Sequence, residues 1–146
     1  MATLYSNLYD TTTLAYKGPI ATATGQHITV MGQWTDVIPD SATTIKLCPG
    51  VAGAKLIRAS FKAVSDEDSD NDFTFDFGNT TTLNAYLNDS TGLQGTTVVT
   101  VAVTDVIEAA ALIDGDDFLI TRAAGETTVG PINFILEYTV PVVALT

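Results

Sequence analysis

Apolar and polar residues alternate along several short segments of this chain. In the segment 73–77, Phe73, Phe75 and Phe77 alternate with Thr74 and Asp76. The segment 132–140 follows the same rule over a longer stretch, with apolar residues at Ile132, Phe134, Leu136, Tyr138 and Val140. Successive side chains of a strand point to opposite faces of a sheet, so a period of two predicts strands with one buried face.

Shorter segments show the same pattern. Ile28, Val30 and Trp34 fall on one side of the segment 27–34, and Ile45 and Leu47 fall on one side of the following run. The chain contains 24 threonines, a β-branched residue that favours strands. Gly, Pro, Asn and Asp separate these segments, as turn residues do. We therefore expect short strands joined by turns.

The segment 54–64 predicts a further strand, with Ile57, Ala59 and Phe61 on its inner face and Arg58, Ser60 and Lys62 on its outer face. Only the segments 83–89 and 106–113 are suited to a helical turn or two. Strands at this spacing, without regular helices between them, predict an all-β fold. We expect an antiparallel β-sandwich or jelly roll with a short N-terminal arm.

The N-terminal residues have a different pattern. Leu4-Tyr5 and Leu8-Tyr9 repeat four residues apart before any clear strand, and a Pro/Gly break follows at 17–19. This spacing suits a short amphipathic helix or an arm whose aromatic side chains insert into a neighbouring subunit. Packing on the same domain is an equally good interpretation. The expected division is an N-terminal arm, residues 1–18, followed by a single β-sandwich domain, residues 19–146.

The chain is strongly acidic, with 17 acids against 6 bases among 146 residues and a net charge of −11. Such a surface repels nucleic acid phosphates, so we expect no nucleic-acid partner. No segment reaches the roughly 18 apolar residues of a membrane helix, and the first residues lack the features of a secretion signal, so we expect no membrane partner. The mean hydropathy is nevertheless +0.27, which indicates extensive apolar burial, partly between subunits.

Five acids crowd one segment: Asp66, Glu67, Asp68, Asp70 and Asp72. Asp68, Asp70 and Asp72 match the first three carboxylate positions of an EF-hand calcium loop. The match then ends, because Phe73 replaces the turn glycine and Asn79 replaces the bidentate glutamate. Alternate carboxylates on an extended chain repel by only about 0.6 kcal/mol in water. We interpret the segment as a solvated connection without a metal ion, with a different kind of calcium site as the open alternative.

No catalytic arrangement is visible in the sequence. His27 is the only histidine and enters a predicted strand without a recognisable Ser or Asp partner spacing. Cys48 is the only cysteine, which excludes an intramolecular disulfide, and it precedes a Pro-Gly turn. The glycines of "PGVAG" and "TGLQG" form neither a P-loop nor a dinucleotide fingerprint. We predict no enzyme activity, no catalytic residues and no cofactor.

The order of features resembles that of the decoration, or cement, proteins of tailed-phage heads. The features are the N-terminal "LYSNLYD", the segment "GQWTDVIPDSATTIKL", the strand "GAKLIRASFKAV" with its acidic loop and "FTFDFG", and the closing "AAGETTVGPINFILEYTV". The resemblance implies a β-rich homotrimer on the outer surface of the capsid that clamps adjacent major capsid subunits. It implies a structural virion protein, and we expect Leu4, Tyr5, Leu8 and Tyr9 to contact the capsid or another subunit.

Two other classes of protein remain as alternatives. A carbohydrate- or receptor-binding β-sandwich module, of the kind found in phage fibres and adhesins, would use an exposed aromatic patch or a calcium site near 66–72. The single tryptophan, Trp34, offers little aromatic platform for a sugar. A small hydrolase on a jelly roll would depend on His27, so replacing that residue with alanine would abolish its activity.

Overall fold

Two β-sheets account for the regular structure of the computed structural model, which describes residues 2–10, 12–18, 27–35, 43–64, 73–101, 109–125 and 129–140. The strands are β1 (Ala2–Tyr5), β2 (His27–Trp34), β3 (Thr43–Pro49), β4 (Lys55–Ala63), β5 (Thr74–Asn79), β6 (Leu87–Ser90), β7 (Val99–Thr100), β8 (Asp117–Ala124) and β9 (Ile132–Thr139). A single 3-10 turn follows β6 at Gly92–Gln94. Within the described ranges there is no α-helix.

The strand order is that of a jelly roll. One sheet has the order β1-β3-β8-β5-β6 and the other has the order β2-β9-β4-β7. Four antiparallel pairs are nested along the chain, since β5 pairs with β6, β4 with β7, β3 with β8 and β2 with β9. A long hairpin wound into two sheets produces this arrangement. The predicted antiparallel sandwich is confirmed, with the difference that β1 pairs with β3 in parallel.

The core lies between the two sheets and is formed by the alternating positions of their strands. Phe73, Phe75 and Phe77 are fully buried, as the period of two predicts. Phe61 of β4 contacts the β5 rings from the opposite sheet, with its centroid 4.9 Å from that of Phe77. On β9 the whole predicted inner face is buried: Ile132, Phe134, Leu136, Tyr138 and, just beyond it, Val140. Burying each such side chain contributes about 1.5–3 kcal/mol.

A β-bulge in β4 corrects one of the sequence predictions. Leu56 pairs with Tyr138 and Arg58 pairs with Glu137, so the register shifts at Ile57. A bulge places two residues opposite one and turns the extra side chain away from its alternating position. Ile57 is therefore 36% exposed instead of buried. The remaining positions follow the prediction, with Ala59 and Phe61 inside and their neighbours outside.

The segment expected to hold a helical turn at 83–89 instead forms a tight connection into β6. The Asn79 side chain accepts a hydrogen bond from the Thr82 N–H at 2.8 Å. The buried Asp116 carboxylate accepts bonds from the Thr81 N–H, the Thr81 hydroxyl and the Ile113 N–H. Within the segment, the Ala85 N–H donates to the Thr82 carbonyl and the Tyr86 N–H donates to the Phe77 carbonyl of β5, so a turn and a cross-strand bond replace the helix. Of the other segment, residues 109–113 are described and are not helical.

Replacing Phe77 with alanine is expected to lower the free energy of unfolding by about 3–5 kcal/mol, because the cavity left between the sheets cannot close completely. The matched control is Ile113→Ala, since Ile113 is 58% exposed and its loss is expected to cost within about 0.5 kcal/mol. Urea denaturation of both variants measures the difference. Equal losses for the two variants would contradict this account of the core.

Candidate functional site

The N-terminal segment joins the two sheets at one side of the sandwich. Its strand β1 extends the five-stranded sheet, with Leu4 in register with Ile45 of β3. Two residues beyond β1, the Asn7 N–H donates to the carbonyl of Gln33 at 2.8 Å, and the Gln33 N–H donates to Asn7 Oδ1 at 2.8 Å. Gln33 lies on β2, the edge strand of the four-stranded sheet. The segment therefore covers part of a sheet edge that would otherwise present unpaired backbone groups.

Ser6 fixes the bend between these two contacts. Its hydroxyl donates a buried hydrogen bond to the carbonyl of Leu47 at 2.8 Å, and its N–H donates to the carbonyl of Lys46 at 2.9 Å. The same hydroxyl accepts a longer bond from the Leu8 N–H. A buried hydroxyl with both donor and acceptor roles filled stabilises one backbone path. The N-terminal segment is thus held to β3 by side-chain as well as backbone bonds.

Three tyrosines of this segment pack edge to face. The Tyr5 and Tyr9 ring centroids lie 5.1 Å apart, and those of Tyr9 and Tyr16 lie 5.3 Å apart. Tyr9 and Tyr16 also form an isolated antiparallel bridge. Each such ring pair adds about 0.5–1.5 kcal/mol to the free energy of burying the rings. Since Tyr9 is only 8% exposed, this cluster belongs to the domain's own packing.

None of the four residues predicted as contact residues is fully exposed. Tyr9 is buried, Leu4 and Leu8 are partly buried against the core, and Tyr5 is half-buried. Of the two interpretations of this segment, the structure therefore shows packing on its own domain. Contact with a capsid or with another subunit stays a prediction for all four residues.

A groove of about 520 Å³ runs beside this segment. Its lining combines apolar and polar side chains, among them Leu4, Tyr5, Asn7, Asp10, Leu14 and Lys17. Leu14 is 48% exposed and has a positive φ of 57°, a conformation that leucine rarely adopts. An exposed leucine beside a half-buried tyrosine gives this groove the chemistry of a protein-contact surface.

Two ion pairs lie near the N-terminal segment. Lys46 Nζ lies 2.8 Å from Asp117 Oδ2 and 5.7 Å from the centroid of the Tyr5 ring. The hydrogen bond to Asp117 raises the pKa of Lys46 above its usual value. Hydrogen bonds from the Thr13 and Thr12 N–H groups lower the pKa of Asp10, which lies 3.9 Å from Lys17. The Lys46 ammonium thus makes a cation–π contact with the Tyr5 ring.

The residues considered for catalysis do not form a reactive site. His27 is exposed on β2, with Nδ1 3.7 Å from Glu137 Oε1. Cys48 is buried, and burial raises the pKa of its thiol, which disfavours the nucleophilic thiolate. Among the described residues, no three His, Cys, Asp or Glu side chains come together as a metal site. The acidic segment Asp66–Asp72 lies outside the described residues.

No helix in the described part of the chain has the length and apolar character needed to cross a membrane.

Comparison with solved structures shows where this fold has been seen before. A chain in the capsid of Ralstonia phage GP4 superposes with a TM-score of 0.74 at 19% identity, over 97% of this chain and 99% of that chain. A chain in the capsid asymmetric unit of cyanophage Pam1 superposes with a TM-score of 0.63 at 13% identity, over 92% of this chain and 99% of that one. No family model and no curated protein matches the sequence. At these sequence identities, the comparison shows that the two capsid chains share the fold of this chain.

The sequence did not indicate two of the residues that position this segment, Ser6 and Asn7. Both form hydrogen bonds to strands far along the chain, at Leu47 and Gln33. Their positions between the two Leu-Tyr pairs provide only a weak signal, since small polar residues often accept backbone bonds at bends. Their partners depend on the tertiary fold and not on local spacing.

Stability is expected to fall at alkaline pH. Burial raises the pKa of Tyr9, Tyr16, Cys48 and Tyr138, in the case of Tyr138 to about 12. In the unfolded chain these groups lose their protons at about pH 9–10. Their contribution is therefore fully present below about pH 9 and is lost as the pH rises through the folded-state values.

Denaturation at about pH 8 and about pH 11 measures this loss, and a Tyr9→Phe/Tyr16→Phe variant provides the control. The Tyr9 hydroxyl has no hydrogen-bond partner among the residues described, so the Tyr9→Phe change removes an ionisable group with little loss of packing. The variant is expected to lose less stability than the parent between the two pH values. An identical loss in both proteins would show that these tyrosines do not govern the alkaline transition.

Proposed function

We propose that this chain is a structural protein of a phage virion, a decoration protein that binds the outside of the head as a homotrimer and stabilises contacts between major capsid subunits. The observation that carries the proposal is the whole-length structural likeness to chains in two phage capsids. The sequence resemblance to cement proteins of tailed-phage heads points to the same class. Its partners are the major capsid protein and other copies of itself.

The likeness extends over the whole fold and not over one motif. The superposition includes 97% of this chain and 99% of the chain in the Ralstonia phage capsid. The two chains are thus of nearly equal length, and both sheets take part in the match. A β-sandwich of this size has a core of its own, which allows it to fold before it attaches to a shell.

The N-terminal edge has the chemistry of an attachment surface. Tyr5 combines a large apolar ring with a hydroxyl, a composition that favours interface hot spots. The Ser6 and Asn7 hydrogen bonds hold the segment in place before any partner binds. A pre-organised surface loses less conformational entropy on docking than a disordered arm would. Three such surfaces in a trimer would multiply weak contacts with the shell through effective concentration.

The composition fits a passive role on the outside of a particle. A net charge of −11 keeps the protein soluble and repels the packaged genome and other particles. A decoration protein must be present in a copy number close to that of the shell protein, whereas a minor head or tail component is present in few copies. Copy number therefore separates these two roles within the virion.

Quantitative mass spectrometry of purified particles of the parent phage tests the proposed function. The expected result is a copy number of the same order as that of the major capsid protein, with the chain removable from intact heads. Absence from the particle would refute the virion role. Binding of the purified chain to glycans or to host cells, with no binding to undecorated heads, would favour the receptor-binding module.

Replacing Tyr5 and Leu14 with alanine together is expected to weaken binding to undecorated heads by at least about tenfold, because both side chains line the exposed groove. Co-sedimentation over a range of protein concentrations measures the affinity. Point variants are preferable to deletion of the segment, since deletion would also remove β1 and the Ser6–Leu47 hydrogen bond.

The matched control is Leu83→Ala, because Leu83 is a partly exposed leucine on the loop between β5 and β6, away from β1. Thermal melts confirm that each variant is folded before binding is compared. Unchanged affinity of the folded Tyr5/Leu14 variant would place the capsid contact on another surface.

A further inference from the structure

The outward face of the four-stranded sheet is open to solvent, and one row of paired residues across it has two apolar members followed by two hydroxyl side chains. In this row Met31 of β2 pairs with Ile135 of β9, which pairs with Ser60 of β4, which pairs with Thr100 of β7. Met31 is 67% exposed, and Val98, next to β7, is 56% exposed. Together with the half-buried Ile135, they form an apolar patch on this face, and exposed apolar patches mark protein contact sites.

A shallow groove of about 350 Å³ follows this row. Its lining is mainly apolar and includes Met31, Phe61, Val98, Phe134 and Ile135, with Lys62 beside them. Methionine is flexible and polarisable, and it adapts to a partner of irregular shape. The groove therefore offers contact area for another protein surface.

The same face carries a concentration of positive charge. Lys55, Arg58 and Lys62 lie on β4 and account for half of the six lysines and arginines of the chain. Glu137 is the single acid in the sequences of β2, β4, β7 and β9. Its carboxylate is already engaged, 3.5 Å from Arg58 Nη2 and 3.7 Å from His27 Nδ1. The net charge of the face is positive.

The rest of the chain has the opposite charge. Outside these four strands the sequence holds three bases and 16 acids. Asp76 and Asp89 on the five-stranded sheet and Asp114 in the loop before β8 belong to this acidic remainder. Each molecule thus carries a basic, apolar face together with a surface of complementary charge.

We propose that the outward face of the β2-β9-β4-β7 sheet binds the acidic surface of a second copy of this chain, so that copies associate head to tail. This inference rests on the self-association included in the proposed function and names the surface responsible. Pairing of two such faces about a twofold axis would place the β4 cations of one copy against those of the other, which is unfavourable. A head-to-tail contact avoids this repulsion, and it forms a ring such as the proposed trimer when the rotation between neighbouring copies closes.

The area of the outward sheet face indicates how strongly two copies of the chain can associate. Even if the two-residue strand β7 is counted at the full length of about eight residues, the usual strand spacings give the face at most about 500 Å², against roughly 800 Å² per partner in a standard interface. The association is therefore expected to depend on concentration and on salt, because its charged part is screened.

Light scattering behind a sizing column, over a range of protein concentrations and at about 0.05 M and 0.5 M NaCl, tests the proposal. The expected result is an oligomer larger than a dimer at low salt that dissociates as salt rises. Met31→Asp and Lys62→Glu are expected to shift the midpoint of association at least about tenfold higher in concentration. A monomer under all conditions would overturn the proposal.

Two control variants change the same chemistry elsewhere. Val51→Asp and Val51→Lys each introduce a charge at an apolar residue that is 39% exposed and lies between β3 and β4, away from the sheet face and from the groove of the N-terminal segment. Both are expected to associate like the parent, and thermal melts confirm folding of all four variants. If the controls weaken association as much as the variants of the sheet face, the interface does not lie on this face.

An introduced cysteine distinguishes head-to-tail association from twofold pairing of two sheet faces. Cys48 is buried, so a Met31→Cys variant exposes one reactive thiol on β2, the edge strand of this face. Head-to-tail association is expected to yield no covalent dimer under mild oxidation, because the introduced thiols of neighbouring copies are far apart. Rapid formation of a disulfide-linked dimer would overturn the head-to-tail arrangement.

Binding of the same variants to undecorated heads separates this inference from the proposed function. Association through the sheet face without any binding to heads would leave the inference standing and refute the decoration role. Binding of strictly monomeric protein to heads would support the decoration role and refute the inference.

Discussion

The interlocking of phenylalanine side chains between the two sheets is the constraint on which the rest of the structure depends. Phe61 reaches across from the four-stranded sheet to Phe75 and Phe77, with ring centroids 5.8 and 4.9 Å apart. A shift of either sheet by one residue would turn its apolar side chains outward and separate these rings. The core thus fixes the register of both sheets, and the register decides which side chains reach the surface.

Two surfaces with different chemistry follow from that register. At the N-terminal edge, hydrogen bonds from Ser6 and Asn7 hold a tyrosine-rich segment in place, and the exposed part is a mixed groove suited to a protein partner. On the four-stranded sheet, the outward positions expose Met31 beside the β4 cations. In the proposed function, the first surface attaches the protein to the shell and the second joins its copies.

The sequence was sufficient to predict the sandwich, because apolar and polar residues alternate regularly in strands with one buried face and one outward face. The phenylalanines of β5 and the apolar positions of β9 are buried as predicted. It was insufficient at Ile57, because a bulge that depends on cross-strand pairing turns this side chain to the outer face. It was also insufficient at β1, because the parallel pairing of β1 with β3 depends on residues far apart in the sequence. For the candidate site, the Leu-Tyr pairs drew attention to the N-terminal segment, and a capsid or subunit contact there stays a prediction. Whether those side chains pack inward or outward depends on the tertiary hydrogen bonds of Ser6 and Asn7.

Electron cryomicroscopy of heads of the parent phage tests the central claim most directly, since it locates the chain on the particle. The account predicts density for the two-sheet sandwich on the outer surface of the shell, bridging adjacent major capsid subunits. Heads on which this density is absent from the outer surface, or present only at the tail vertex, would contradict the account.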